Sequence, residues 1–111
     1  MVIQQLPVVL SEPALLDLQR IGSRIFETSG SENIALSFID RIKARCQRIG
    51  DAPRGGRARD DLLPGLRTVP FEHSAVIAYI VLGELVMITN VFYGGHDFEA
   101  LLGGGKLGND L

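Results

Sequence analysis

A change of hydrophobic period midway along the chain predicts an α+β domain, with a helix hairpin packed on one face of a twisted antiparallel sheet. Up to Gly50, apolar residues recur every three or four positions between serine starts and glycine stops. From Leu66 onward they come in blocks rich in Val, Ile, Tyr, Phe and Thr, separated by short turns. A single charged loop rich in glycine and proline divides the two halves. At 111 residues the chain is large enough for one core without disulfides or metal, and it contains no internal repeat.

Pro7-Val8-Val9-Leu10 reads as a short strand ending at Ser11. Ser11-Glu12-Pro13 then starts a helix: the hydroxyl can cap, the acid suits the positive helix end, and proline is tolerated in the first turn. Ala14, Leu15, Leu18, Ile21 and Ile25 form its apolar stripe, and Ser29-Gly30 stops it. Ser31 caps a second helix with Ala35, Phe38, Ile42, Cys46 and Ile49 at the same spacing, and Gly50 is its stop. So short a connection predicts an antiparallel pair. Leu66–Phe71, Ala75–Leu82 and Leu85–Tyr93 read as three consecutive antiparallel strands. Glu72-His73-Ser74 joins the first two, and Gly83-Glu84 is a two-residue hairpin turn with glycine first. A short helix is expected over 96–102, closing a domain of residues 1–102, with 103–111 as a flexible tail.

Composition narrows the function classes. A formal charge of −2 and a hydrophobic fraction of 46% describe an ordinary soluble globule, and they imply no bulk affinity for nucleic acid. The lone Cys46 excludes an internal disulfide and a cysteine-based zinc site, which suits a reducing cytoplasm. The first residues lack a basic n-region and a small-residue cleavage site, and no apolar run is long enough to span a membrane. A cytoplasmic protein without cofactor or metal is expected.

The loop carries the most specific pattern in the chain. Pro53, Gly56, Arg57, Arg59, Asp60, Leu62, Gly65, Leu66 and Arg67 follow Pro-x-x-Gly-Arg-x-Arg-Asp/Glu-x-Leu-x-x-Gly-Leu-Arg. This closely resembles the signature of the ParE toxins in the RelE/ParE superfamily of bacterial toxin–antitoxin modules. The resemblance runs roughly from Val9 to Leu102. Near its end, Gly94 and Asp97 match the family's Val-x-His-Gly-x-Arg-Asp, while Tyr93 replaces the histidine and His96 the arginine. The resemblance implies a type II toxin neutralised by a ParD-like antitoxin, which wraps the toxin with a helix and an extended strand. It further implies DNA gyrase as the target, poisoned by binding and stabilising its cleaved DNA complex, with no enzymatic activity of the toxin's own.

Charge distribution bears on the same point. Seven of the eleven basic residues lie between Arg41 and Arg59, and beyond Arg67 only Lys106 is basic. A RelE-type ribonuclease presents Arg and Lys from its sheet to hold the scissile phosphate, with a tyrosine, histidine or glutamate moving the proton. These strands offer Tyr79, Tyr93, His73 and His96 but no cation except Arg67 at their entry, and Glu72, Glu84, Asp97 and Glu99 would repel phosphate. Ribosome-dependent mRNA cleavage and a degenerate, non-toxic antitoxin-binding module are the alternatives. Arg57, Arg59, Arg67, His73, Tyr79, Tyr93, His96, Asp97 and Phe98 are therefore candidates for target or antitoxin contact, and none is assigned to catalysis. Plainer readings stand beside these: a solvated face for the arginines of the second helix, loop ion pairs for Arg57 and Arg59, and sheet packing for the tyrosines.

The segment Val76–Leu82 is apolar on both faces, more than a sheet with one solvated face requires. A hairpin of helices covers only one face. A partner on the other face, or at the edge, is expected unless the N-terminal strand and C-terminal segment cover it themselves.

Overall fold

The computed structural model describes residues 5–94. In chain order these form β1 (Val8–Leu10), α1 (Glu12–Ser29), α2 (Glu32–Ile49), β2 (Arg57–Ala58), β3 (Arg67–Phe71), β4 (Ala75–Leu82) and β5 (Leu85–Tyr93). The strands make one five-stranded sheet in the order β1-β5-β4-β3-β2, and the helices pack on one side of it. The α+β layering agrees with the sequence. The predicted short helix over 96–102 and the tail lie outside the described residues.

The wholly antiparallel sheet is corrected to a mixed one. β3, β4 and β5 form the expected antiparallel meander, but β1 runs parallel to β5, with Val8, Val9 and Leu10 opposite Val86, Met87 and Ile88. A tight turn forces antiparallel pairing; β1 reaches β5 only after both helices and three other strands, so no turn dictates its direction. β2, a two-residue strand antiparallel to β3, was read as loop. Two ladder positions are too few to leave a period-two signal.

Both helices begin and end where the caps predict. Ser11 accepts the amide of Ala14 at 3.1 Å, Ser31 that of Ile34 at 3.2 Å, and Gly30 closes α1 at φ 71°. Gly50 differs: its φ of −63° is right-handed, so the left-handed stop is not its role. A β-carbon there would strike the carbonyl oxygen of Leu6, whose amide donates to the Gly50 carbonyl at 2.9 Å. Glycine lets the N-terminal segment cross close over the end of α2.

The core joins Ala14, Leu18, Ile21 and Ile25 of α1 and Ala35, Phe38, Ile42, Cys46 and Ile49 of α2 to Val69, Phe71, Ile77, Tyr79, Val86, Ile88 and Val91 of the sheet. Leu15, expected on the α1 core stripe, is instead half exposed on the other side of the helix. Along β5 the inward positions change from even (Val86, Ile88) to odd (Val91, Tyr93) numbers. A bulge produces the change, because Ala78 pairs with Asn90 and Tyr79 with Ile88, leaving Thr89 extra. The N-terminal part of the chain holds this bulge: Ser11 Oγ donates to the Thr89 carbonyl at 3.0 Å. Asp17 Oδ2 accepts the Val91 amide at 2.9 Å and Asn90 Nδ2 at 3.2 Å. Burial pushes the Cys46 thiol up to about 11 against the opposing pull of the nearby Arg45 charge, as suits a packed, unreactive sulfur.

Candidate functional site

The charged loop folds onto the sheet through two strand side chains, one buried and one half-buried. Tyr79 on β4 is 0% exposed, and its hydroxyl accepts the Gly56 amide at 2.9 Å while donating to the Pro53 carbonyl at 3.0 Å. Gly56 is glycine for space, since a β-carbon would press on the Tyr79 phenol. Arg67, opposite Tyr79 in the β3–β4 ladder, sends Nη1 to the carbonyls of Arg54 at 3.1 Å and Gly56 at 2.9 Å. Two strand side chains thus satisfy backbone groups that a loop over the sheet would otherwise leave unpaired.

The second half of the loop closes on itself. Arg59 is 6% exposed, and its fork grips Asp61 through Nε and Nη2 at 2.9 and 2.8 Å. That hydrogen bonding, more than the charge alone, holds the Asp61 carboxyl below its usual range. Asp60 Oδ1 accepts the Gly65 amide at 2.8 Å, where Gly65 turns at φ 82°. The Arg59 carbonyl receives the amides of Leu62 and Leu63, and its own amide reaches the Leu66 carbonyl. Within the signature, Arg57 differs in presenting an exposed side chain from the edge strand β2.

His73 and Tyr93 sit at the far end of the sheet. Arg67 and Phe71 bound β3, so roughly 13 Å separates them from the Tyr79–Arg67 cluster. Glu72 and His73 are both left-handed, at φ 49° and 56°, and form the exposed turn into β4. Arg41 on α2 braces it, its Nε and Nη2 meeting the Glu72 carboxylate at 2.8 and 3.0 Å. The same hydrogen bonds lower the Glu72 carboxyl and raise the Arg41 guanidinium. Tyr93 stacks edge-on against Phe38, with centroids 5.6 Å apart, and shares a small cavity of about 180 Å³ with His73, Pro70 and Phe92. His96, Asp97 and Phe98 lie outside the described residues. The predicted site residues among the described ones thus fall into two separate groups.

One surface escaped the sequence reading. On the side of the helix hairpin turned away from the sheet, Leu15, Gly22 and Phe26 of α1 face Leu36 and Ile39 of α2 across an open groove of about 990 Å³. Phe26 is 51% exposed and Leu36 55% exposed. Glu12, Glu27, Glu32 and Lys43 rim the groove, and Gly22 faces Ile39 on its floor with room for a methyl group. The signal was present as a second stripe: Leu15, Gly22 and Phe26 at helical spacing, one position off the core stripe. The outer face of β4 is apolar, as the sequence predicts: Val76 and Ile80 there and Met87 on β5 are half-buried, and Leu82 is exposed. The N-terminal strand lies at the sheet's edge and does not cover that face.

The described residues include no helix long and apolar enough to cross a membrane. Comparison with known proteins agrees on one family. Residues 8–98 match the family model described as ParE toxin of type II toxin-antitoxin system, parDE. A relative named Toxin ParE3, from Caulobacter vibrioides, is 34% identical over 96 residues, covering 86% of this chain and 94% of its own. A solved structure titled as a chromosomal ParDE TA system from P. aeruginosa superposes with a TM-score of 0.70. At 19% identity, covering 81% of this chain and 97% of that one, it supports the fold. With its helix hairpin, mixed sheet and pinned signature loop, the chain belongs to the ParE toxin family of type II toxin–antitoxin systems.

Proposed function

We propose that this protein is the toxin of a type II pair, silenced by direct binding of a ParD-like antitoxin. Released, it inhibits DNA gyrase by binding and stabilises the cleaved DNA complex, without catalysing a reaction of its own. The observation that carries the antitoxin half is the open apolar groove between α1 and α2. Exposed Phe26 and Leu36, rimmed by charge, suit the apolar face of an amphipathic helix.

The binding mechanism, in preference to RNA cleavage, draws support from how the strand residues are engaged. A RelE-type reaction would need Tyr79 and Arg67 to face RNA, yet here both hold loop backbone, and the Tyr79 hydroxyl is fully buried. His73 and Tyr93 lie a strand's length away. A general acid and a phosphate clamp so far apart cannot serve one phosphate.

A supercoiling and cleavage assay with purified gyrase, without and with the neighbour-encoded antitoxin, tests the whole reading. Cleaved DNA that accumulates with the toxin and disappears with the antitoxin is the expected result. Cleaved messenger RNA on ribosomes, with gyrase untouched, would replace it with the endonuclease reading.

A further inference from the structure

The chain is acidic as a whole but carries one strongly basic edge. Between residues 45 and 67 there are six arginines and three aspartates, against a net charge of −2 for the chain. Arg59 and Asp61 neutralise one another, Asp60 is turned to the Gly65 amide, and Asp51 Oδ1 accepts Gln5 Nε2. Among the described residues, no carboxylate lies within ion-pair distance of Arg45, Arg48, Arg54, Arg57 or Arg67.

These five lie toward the end of the sheet at which β3 begins. Arg45 and Arg48 lie on the last turns of α2, whose end is held there by the Leu6 amide on the Gly50 carbonyl, just ahead of β1. Arg67 begins β3 and is tied to the carbonyls of Arg54 and Gly56, while Arg57 projects from β2, the outermost strand. Bonds to neutral carbonyls position the Arg67 guanidinium without cancelling its charge. The result is a band of positive charge from the last turns of α2, across the loop, to the sheet edge.

We propose that this band contacts the phosphate backbone of duplex DNA, independently of sequence. What favours DNA over an acidic protein segment is composition. Protein–protein sites set aromatic and aliphatic anchors among few charges, as the groove between the helices does. Of the large exposed hydrophobics, only Leu63 falls within residues 45–67, and none lies between 45 and 57. A surface that is positive, polar and poor in anchors matches a nucleic-acid backbone, and guanidinium forks suit phosphate oxygens. This inference deepens the gyrase reading and rests on it for its physiological sense: a toxin that holds a cleaved DNA complex would grip the DNA as well as the enzyme. DNA contact itself does not depend on gyrase and can be measured without it.

The test is fluorescence anisotropy of a labelled mixed-sequence duplex titrated with the full chain, from about 50 mM to about 200 mM salt. Binding is expected to weaken linearly on logarithmic axes with a slope of about −4, the signature of four to five neutralised phosphates. Arg48→Glu with Arg57→Glu should lower affinity at least tenfold and flatten the slope by about two. Arg20→Glu with Arg24→Glu, the same charge change on exposed positions of α1, should leave binding within about twofold, with circular dichroism confirming that both variants fold. Absence of binding at the lowest salt, or an equal loss in both variants, overturns the proposal. So does a loss confined to antitoxin binding, which would give the edge to an acidic protein segment. DNA binding without gyrase-dependent cleavage would leave the inference standing and remove the gyrase reading.

Discussion

The signature loop and the groove between the helices use their side chains in opposite ways. In and under the loop, Tyr79, Arg67, Arg59 and Asp60 are engaged within the chain, each bonded to backbone or to a loop side chain. In the groove, Leu15, Phe26 and Leu36 face solvent and satisfy nothing within the chain. The most recognisable motif thus serves largely as a folding device, and the anonymous stripe is the apolar surface the fold leaves open. A pattern can identify a family because it shapes the fold.

Substitutions should separate the two regions sharply. The largest effect is expected at the loop's anchor: Tyr79→Ala should cost about 3–5 kcal/mol in chemical denaturation, as loss of a buried aromatic does. Tyr79→Phe isolates the hydrogen bonds and should cost about 2 kcal/mol, since it strands the Gly56 amide and the Pro53 carbonyl. Little loss in Tyr79→Phe would contradict the view of this loop as a folding device.

Next in size is the reverse experiment. Phe26→Glu or Leu36→Glu should leave stability within about 0.5 kcal/mol, because both sites are exposed. Calorimetry with the antitoxin should nonetheless record a loss of at least 2 kcal/mol in binding, as expected where an apolar anchor is replaced by charge. If these variants unfold the protein or bind normally, the groove is not the partner surface. Gly22→Ala places a methyl about 3.6 Å from Ile39, in ordinary contact, and should alter stability and binding by less than about 1 kcal/mol.

The smallest effect concerns acid. The Glu72 carboxyl is lowered by Arg41, and the Asp61 carboxyl by Arg59, so each pair stabilises the fold above the usual carboxylate range. That contribution is lost as pH falls below the usual carboxylate range, through the lowered values. Both carboxylates are exposed, so the effect is small. Glu72→Gln should measurably flatten the acid limb of a pH–stability curve while leaving the neutral plateau nearly unchanged.

How much of this was legible in the sequence follows from the range of each signal. Caps, helical periods and the Gly83 turn act over four to eight residues, and they placed α1, α2, β3, β4 and β5 nearly to the residue. The direction of β1, the Thr89 bulge and the role of Gly50 each depend on a partner more than forty residues away, so local spacing carried no trace of them. The site was harder to read for a different reason. Arg59, Arg67 and Tyr79 are chemically able to bind phosphate or to hold a loop, and only their hydrogen-bond partners in the fold decide between the two. Leu15 was assigned to the core because neighbouring stripes on one helix differ by a single position.

The parallel β1 also bears on when the protein can become active. Val8 pairs with Val86, and Ser11 bonds Thr89 across 78 residues of sequence. Contacts of such long range must wait until β5 has been made, whereas α1 and α2 can form as soon as they emerge. During synthesis the hairpin, with its apolar groove, would therefore be available before the sheet is closed by its edge strand. A partner that recognises the hairpin could engage a nascent chain that is still an incomplete toxin, so neutralisation need not trail behind translation.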